Sequence, residues 1–178
     1  MSRCYSLVLA LLLIWFSFPG IGLSAPEGEA LRPAPLNASE LEDRAFMAIN
    51  HLRQSYGLAP LQRSSDLNEV ARAHSRDMMR RRYFSHTSPE GDDLRGRFAR
   101  NGITQWRYIA ENLAYNLGYA DPVKTAVEGW MKSPSHRQNI LNKQLTESGI
   151  GVAIDEVGRT YFTQVFARRD SRLMARVW

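Results

Sequence analysis

Trp130-Met131-Lys132-Ser133-Pro134-Ser135-His136-Arg137-Gln138-Asn139-Ile140-Leu141 is the stretch that organises the chain. Val123, Val127 and Trp130 fall at helical spacing, so an amphipathic helix enters from the left. Pro134 cannot continue it, because its ring clashes with the preceding turn and it has no N–H to donate. Ser133 suits the cap of a new turn and Pro134 its first position. The spacing therefore predicts a second, short helix with His136 and Arg137 in its first turn and Ile140 and Leu141 anchoring it to a core. On this stretch alone, a histidine beside a rigid break reads equally as a site or as a capped break with a surface His-Arg pair.

Working towards the N-terminus, Asp121-Pro122 is the start signal of the incoming helix. Tyr108 to Tyr115 reads as a strand with Glu111 at its middle, and an acid there needs a partner, since burying an unpaired carboxylate is costly. Glu111 is then either a structural hydrogen-bond hub or a functional group. Leu94 to Asn101 is a short helix with Phe98 inward. Tyr83-Phe84-Ser85-His86-Thr87-Ser88-Pro89-Glu90-Gly91 has no helical period and reads as a loop, the kind of segment that carries functional side chains. Asp66-Leu67-Asn68-Glu69 opens a helix whose buried stripe is Leu67, Val70, Ala71, His74 and Met78; His74 is a core histidine or a cleft residue. Ser39-Glu40-Leu41-Glu42 is read as a capping box, followed by a helix with Leu41, Ala45, Ile49, Leu52 and Tyr56 on one face and Gly57 at its end.

Towards the C-terminus, Gly149 to Ile154 and Thr160 to Phe166 flank a turn at Glu156-Val157-Gly158-Arg159 and form an antiparallel hairpin. Helices come first and strands last. The class is α+β, with helices packed on a small, mainly antiparallel sheet.

The chain has 178 residues, enough for one domain with a real core. Arg3, the apolar run Leu7 to Phe18 and the small residues up to Ser24 read as a secretory signal peptide over 1–24. The run is short for a membrane span, which makes a retained anchor the weaker alternative, and no stable span is expected after cleavage. Residues 25–38, with Pro26, Pro33 and Pro35, read as a linker, residues 39–168 as the folded domain and 169–178 as a basic tail. Cys4 is the one cysteine and lies in the signal segment, so the mature chain is expected to have no disulfide and no thiolate metal site. The expected location is secreted or periplasmic. Without Arg3 the chain carries 22 basic and 18 acidic side chains, a charge of +4. The clusters Arg76/Arg80/Arg81/Arg82 and Arg168/Arg169/Arg172/Arg176 are solvated faces or contacts for anionic envelope polymers and lipid headgroups. No nucleic-acid motif is present.

Leu58-Ala59-Pro60-Leu61, Ala73-His74-Ser75, Tyr83-Phe84-Ser85-His86-Thr87-Ser88-Pro89, Glu111-Asn112-Leu113-Ala114, Ser133-Pro134-Ser135-His136-Arg137-Gln138-Asn139-Ile140-Leu141, Ile150-Gly151-Val152 and Tyr161-Phe162-Thr163-Gln164-Val165-Phe166 occur in one order. That series resembles the CAP domain superfamily (cysteine-rich secretory, antigen 5 and pathogenesis-related proteins) in its bacterial branch. The resemblance implies an α-β-α sandwich with a central cleft. In plant and animal members that cleft holds two histidines and two glutamates able to take a divalent metal. His86 and Glu111 match two of these, although Ala110 replaces the glycine of the Gly-Glu-Asn motif. Ser133 stands at the second glutamate position and Tyr161 at the second histidine position, while the bacterial motif offers His136. Asn112, Arg137, Tyr161, Gln164 and His74 complete the candidate cleft lining.

His86, Glu111 and His136 suit Zn²⁺ with an open fourth position, but no paired-histidine helix motif forces a chelate, and a His–Glu pair is also a common hydrogen-bond arrangement. If the three groups meet without metal, the carboxylate is expected to raise the pKa of both imidazoles. The resemblance favours a non-enzymatic binding module for a lipid, an envelope component or a protein partner. The alternative is a metal-assisted hydrolase of envelope or exported peptide substrates. Ser85 and Ser88 lack a nucleophile-elbow context and are ordinary turn residues.

Overall fold

A computed structural model of the chain describes residues 37–170. The signal segment, all but the last two residues of the 25–38 linker, and all but the first two of the basic tail lie outside the described residues. Five helices and four strands follow in the order α1 (Ala38–Ser55), β1 (Gln62–Arg63), α2 (Ser65–Arg81), α3 (Leu94–Arg100), β2 (Trp106–Asn116), α4 (Pro122–Lys132), α5 (Pro134–Ile140), β3 (Glu147–Ile154) and β4 (Thr160–Arg169). α1 begins and β4 ends one residue outside the expected span of 39–168.

The sheet order is β1-β3-β4-β2. β3 and β4 form the expected hairpin, β2 pairs antiparallel with β4, and the two-residue β1 pairs parallel with β3. The fold is α+β, with β1 as the element absent from the sequence reading: two residues are too few to show a period. Strand residues alternate between the faces. Ile150, Val152, Phe162 and Phe166 bury against Leu41, Ala45 and Ile49 of α1, Val123, Ala126, Val127 and Trp130 of α4, and Ile140 of α5. On the other face, Val165 and Ala167 bury against Leu67, Val70 and Ala71 of α2 and Phe98 of α3. The result is three layers, helices either side of a mixed sheet.

α2 lies directly on β3. A Cβ at Gly151 would fall 2.1 Å from the Arg72 backbone nitrogen, and one at Gly149 2.2 Å from that of Asn68. No side chain fits in either gap.

The first helix corrects the capping-box reading. Its cap is Asn37, whose side-chain oxygen accepts from the Ser39 backbone N–H (2.9 Å), so Ser39 is already helical. Glu42 is thereby free for another role. It is 4% exposed and takes Arg72 through Nη2 (2.6 Å) and the Val152 N–H (3.1 Å). Asn68 accepts the neighbouring Ile150 N–H (2.9 Å). These two side chains cover the β3 edge beyond the short β1, which would otherwise leave backbone donors unpaired.

The break at Ser133-Pro134 forms as expected. α4 ends at Lys132, Ser133 is extended (φ −88°, ψ 121°), and Pro134 opens α5. Ser133 caps α5 through its backbone carbonyl, which accepts from Arg137 N–H (2.9 Å), and not through its hydroxyl. Trp130 is 1% exposed and its Nε1–H donates to the Leu113 carbonyl (2.8 Å).

Candidate functional site

β2 is the sheet's far edge, and the site wraps around it. Glu111 pairs in register with Val165 and so faces the α2/α3 layer, whereas Asn112 faces the α5 side. The bond from Trp130 and one from Asn139 Nδ2 to the Glu111 carbonyl (3.3 Å) cover the outward carbonyls of this edge.

The Glu111 side chain is 3% exposed. His86 Nδ1–H donates to its Oε1 (2.8 Å) and Arg97 Nη2 donates to its Oε2 (2.7 Å). Arg97 is itself buried and also donates to the backbone carbonyls of His86 (3.1 Å) and Asp92 (3.2 Å). One guanidinium thus neutralises the acid and pins the loop that carries His86. With Nδ1 as the donor, His86 presents Nε2 outward, and its side chain is 56% exposed. The His136 ring lies beside it, with centroids 6.5 Å apart.

Arg97 was not among the candidates. It sits between Leu94 and Phe98 in a short helix rich in arginine, and the available signal was its position three residues after Leu94, on the inward face with Phe98.

The other candidates have separate fates. Asn112 is fully buried and acts as a clamp: its Nδ2 donates to the His136 carbonyl (3.1 Å) and its Oδ1 accepts from Asn139 (2.9 Å). It fixes α5 and hence His136. Arg137 points away, with its guanidinium 5.6 Å from the Tyr56 ring centroid at the end of α1. Gln164 is buried between sheet and helices, donating to Ser148 Oγ (3.3 Å). His74 is a core histidine: its Nε2–H donates to the Ser85 carbonyl (3.0 Å), which ties α2 to the loop beneath His86. Tyr161 lies four register pairs along the sheet from Glu111 and packs edge-on against Tyr115 (5.1 Å). Ser85 Oγ accepts from Thr87 N–H (3.1 Å) and Ser88 Oγ donates to Glu90 (3.1 Å), both local turn bonds.

The electrostatics differ from expectation at His136. Its pKa is lowered, first by burial and then by the neighbouring His86. The charge of Glu111 is already taken up by Arg97 and His86, so little of it reaches His136. His74 is lowered as well: burial outweighs the attraction of Glu111, and Arg97 opposes that attraction.

A three-ligand metal centre does not fit this arrangement. Both Glu111 oxygens are engaged, one by a cation that repels a metal ion. Among the described residues, no three His, Cys, Asp or Glu side chains are grouped to hold one.

Three layers, with a carboxylate on the outer strand held by an imidazole from the α2–α3 loop, define a CAP-type α-β-α domain. The chain belongs to the cysteine-rich secretory protein (CAP) family, whose model matches residues 46–166. It is 40% identical over 128 residues to the uncharacterized membrane protein YlbC of Bacillus subtilis, covering 72% of this chain and 34% of that protein. It is 37% identical over 118 residues to the uncharacterized protein YkwD of the same organism, covering 66% of this chain and 44% of that one. The chain thus spans less than half the length of these curated relatives. Among solved structures, an extracellular protein with an SCP domain from Bacillus anthracis superposes with a TM-score of 0.63 at 31% identity, covering 76% of this chain and 45% of that one. An outer surface protein of Borrelia burgdorferi shares the fold with a TM-score of 0.68 at 21% identity, covering 76% and 97%. No helix among the described residues is long and apolar enough to cross a membrane.

Proposed function

We propose that this chain is a secreted or envelope-located binding module that recognises a lipid, an envelope component or a protein partner through the His86–Glu111–His136 edge. The observation that carries this reading is the saturation of Glu111 by Arg97 and His86. The acid is spent on holding the loop, and the groups left for a ligand are two imidazoles at an exposed rim. The extracellular and surface character of the Bacillus anthracis and Borrelia structures supports the location.

One observation favours a second reading. A histidine whose Nδ1–H is held by a carboxylate and whose Nε2 is exposed has the orientation of a general base, so hydrolysis without a metal is the competitor. The test combines binding and turnover. ¹⁵N-labelled protein is titrated with anionic phospholipid vesicles and with soluble wall fragments, and the same mixtures are assayed for cleavage. The proposal expects saturable perturbation of residues at the edge, lost in His86→Ala and His136→Ala, with no product. Cleavage abolished by His86→Ala would establish the hydrolase instead.

A further inference from the structure

Around the corner from the His86 edge lies a cup of about 260 Å³ lined by Arg82, Tyr83, Phe84, Tyr115, Arg159 and Tyr161. A second hollow of about 390 Å³ shares Arg82, Arg159 and Tyr161 with it. We propose that this cup binds an anionic sugar unit, one carrying a carboxylate or a phosphate.

Four observations converge on it. Arg82, in this basic cluster, has no carboxylate partner among the described residues. It also adopts the left-handed conformation (φ 56°), where it closes α2 and is the one non-glycine residue of positive φ among those described. A β-carbon is strained there, and glycine would be the unstrained choice. Third, Arg159 lines both hollows, and its one ion pair among the described residues, to Asp155 Oδ2, is long at 3.6 Å. Fourth, three rings step up the wall: Tyr161 is buried, Tyr115 packs edge-on against it (5.1 Å), and Phe84 follows at 6.1 Å with half its surface exposed.

Guanidinium groups with unused donors fit carboxylate or phosphate oxygens. Exposed aromatic rings fit the apolar face of a compact ring, and a few polar groups among aromatics is the usual composition of a small-molecule site. A free anion would use the arginines and leave the rings idle. An acyl chain would use the rings and leave the arginines idle. A charged sugar uses both. Neither His86, Glu111 nor His136 lines the cup, so the two sites stand or fall separately.

The test uses the full chain and five probes, titrated by calorimetry and by ¹⁵N spectra: glucuronate, glucose 6-phosphate, glucose, inorganic phosphate and phosphatidylglycerol vesicles. Both anionic sugars are expected to bind saturably and at least roughly tenfold tighter than glucose, since a charge-assisted hydrogen bond is worth about that factor. Arg82→Gly separates binding from folding: it relieves the backbone strain, so the thermal midpoint should hold or rise while affinity falls roughly tenfold. Phe84→Ala, at an exposed position, should weaken both anionic sugars as well. Equal affinity for inorganic phosphate and glucose 6-phosphate would overturn the proposal in favour of a bare anion site. Unchanged binding in Arg82→Gly and Phe84→Ala would place the sugar elsewhere. Adsorption to phosphatidylglycerol vesicles with no response to either sugar would make the surface a membrane contact and refute it.

Discussion

At Glu111 a single side chain joins three elements: β2 that carries it, the loop of His86 and the helix of Arg97. Breaking a buried pair by removing one partner leaves the other charge uncompensated. Arg97→Met should therefore cost about 3–5 kcal/mol in chemical denaturation, and the His86 loop should become the most exchange-prone part of the domain. His136 makes a second prediction. Its pKa lies below the ordinary 6.5, through burial and the charge of His86, and that of His74 is lowered by burial. The unfolded chain then binds these protons more readily than the native one, so stability is full above pH 6.5 and is lost as pH falls through the depressed values. NMR titration should give midpoints below 6.5 for both rings; a midpoint above it at His136 would mean that Glu111 acts on it directly. That His86 meets Glu111 and lies beside His136 was legible from the series of motifs, and from a loop, an interrupted apolar strand and a helix break that each leave a mark in sequence. Arg97 was not, because one arginine among several carries no sign that its charge is buried. Arg137 and Gln164 were misplaced because motif membership does not tell which way a side chain points.

Among the elements, the helices and the hairpin followed from apolar spacing and turn residues, and the Ser133-Pro134 break from the chemistry of proline. Edge protection did not, since Glu42, Asn68, Trp130 and Asn139 reach strands far from them in sequence. Glu42 in particular imitates a capping-box acid. The α4 break gives a graded test. Trp130→Ala should cost about 3–5 kcal/mol, because it removes a fully buried ring and the cover of the Leu113 carbonyl. Pro134→Ala should cost only about 0.4–1 kcal/mol through chain entropy. Denaturant midpoints showing equal losses would contradict the packing of α4. The contact between α2 and β3 gives a sharper one. Gly151→Ala must push backbone against backbone, and overpacking of that kind costs about 1–3 kcal/mol or more. A neutral effect would mean that α2 stands further off the sheet.

For the molecule as a whole, the helix-first, strand-last order was enough to predict layers of helix on a small sheet, and the series of motifs was enough to predict the family. What the site holds was not readable at this scale, because three ligand-type residues are the same letters whether a metal or an arginine balances the carboxylate. Arg97 is what balances Glu111 here. The most direct test of that balance is titration of tag-free protein with Zn²⁺, following the imidazole ¹⁵N and ¹H signals of His86 and His136 and the bound metal by elemental analysis. With Arg97 on Glu111, the protein should retain no stoichiometric zinc after dialysis, and the His86 Nδ1–H signal should persist through the titration. One equivalent of zinc retained, with both imidazoles shifted together and the Nδ1–H to Glu111 signal lost, would contradict it.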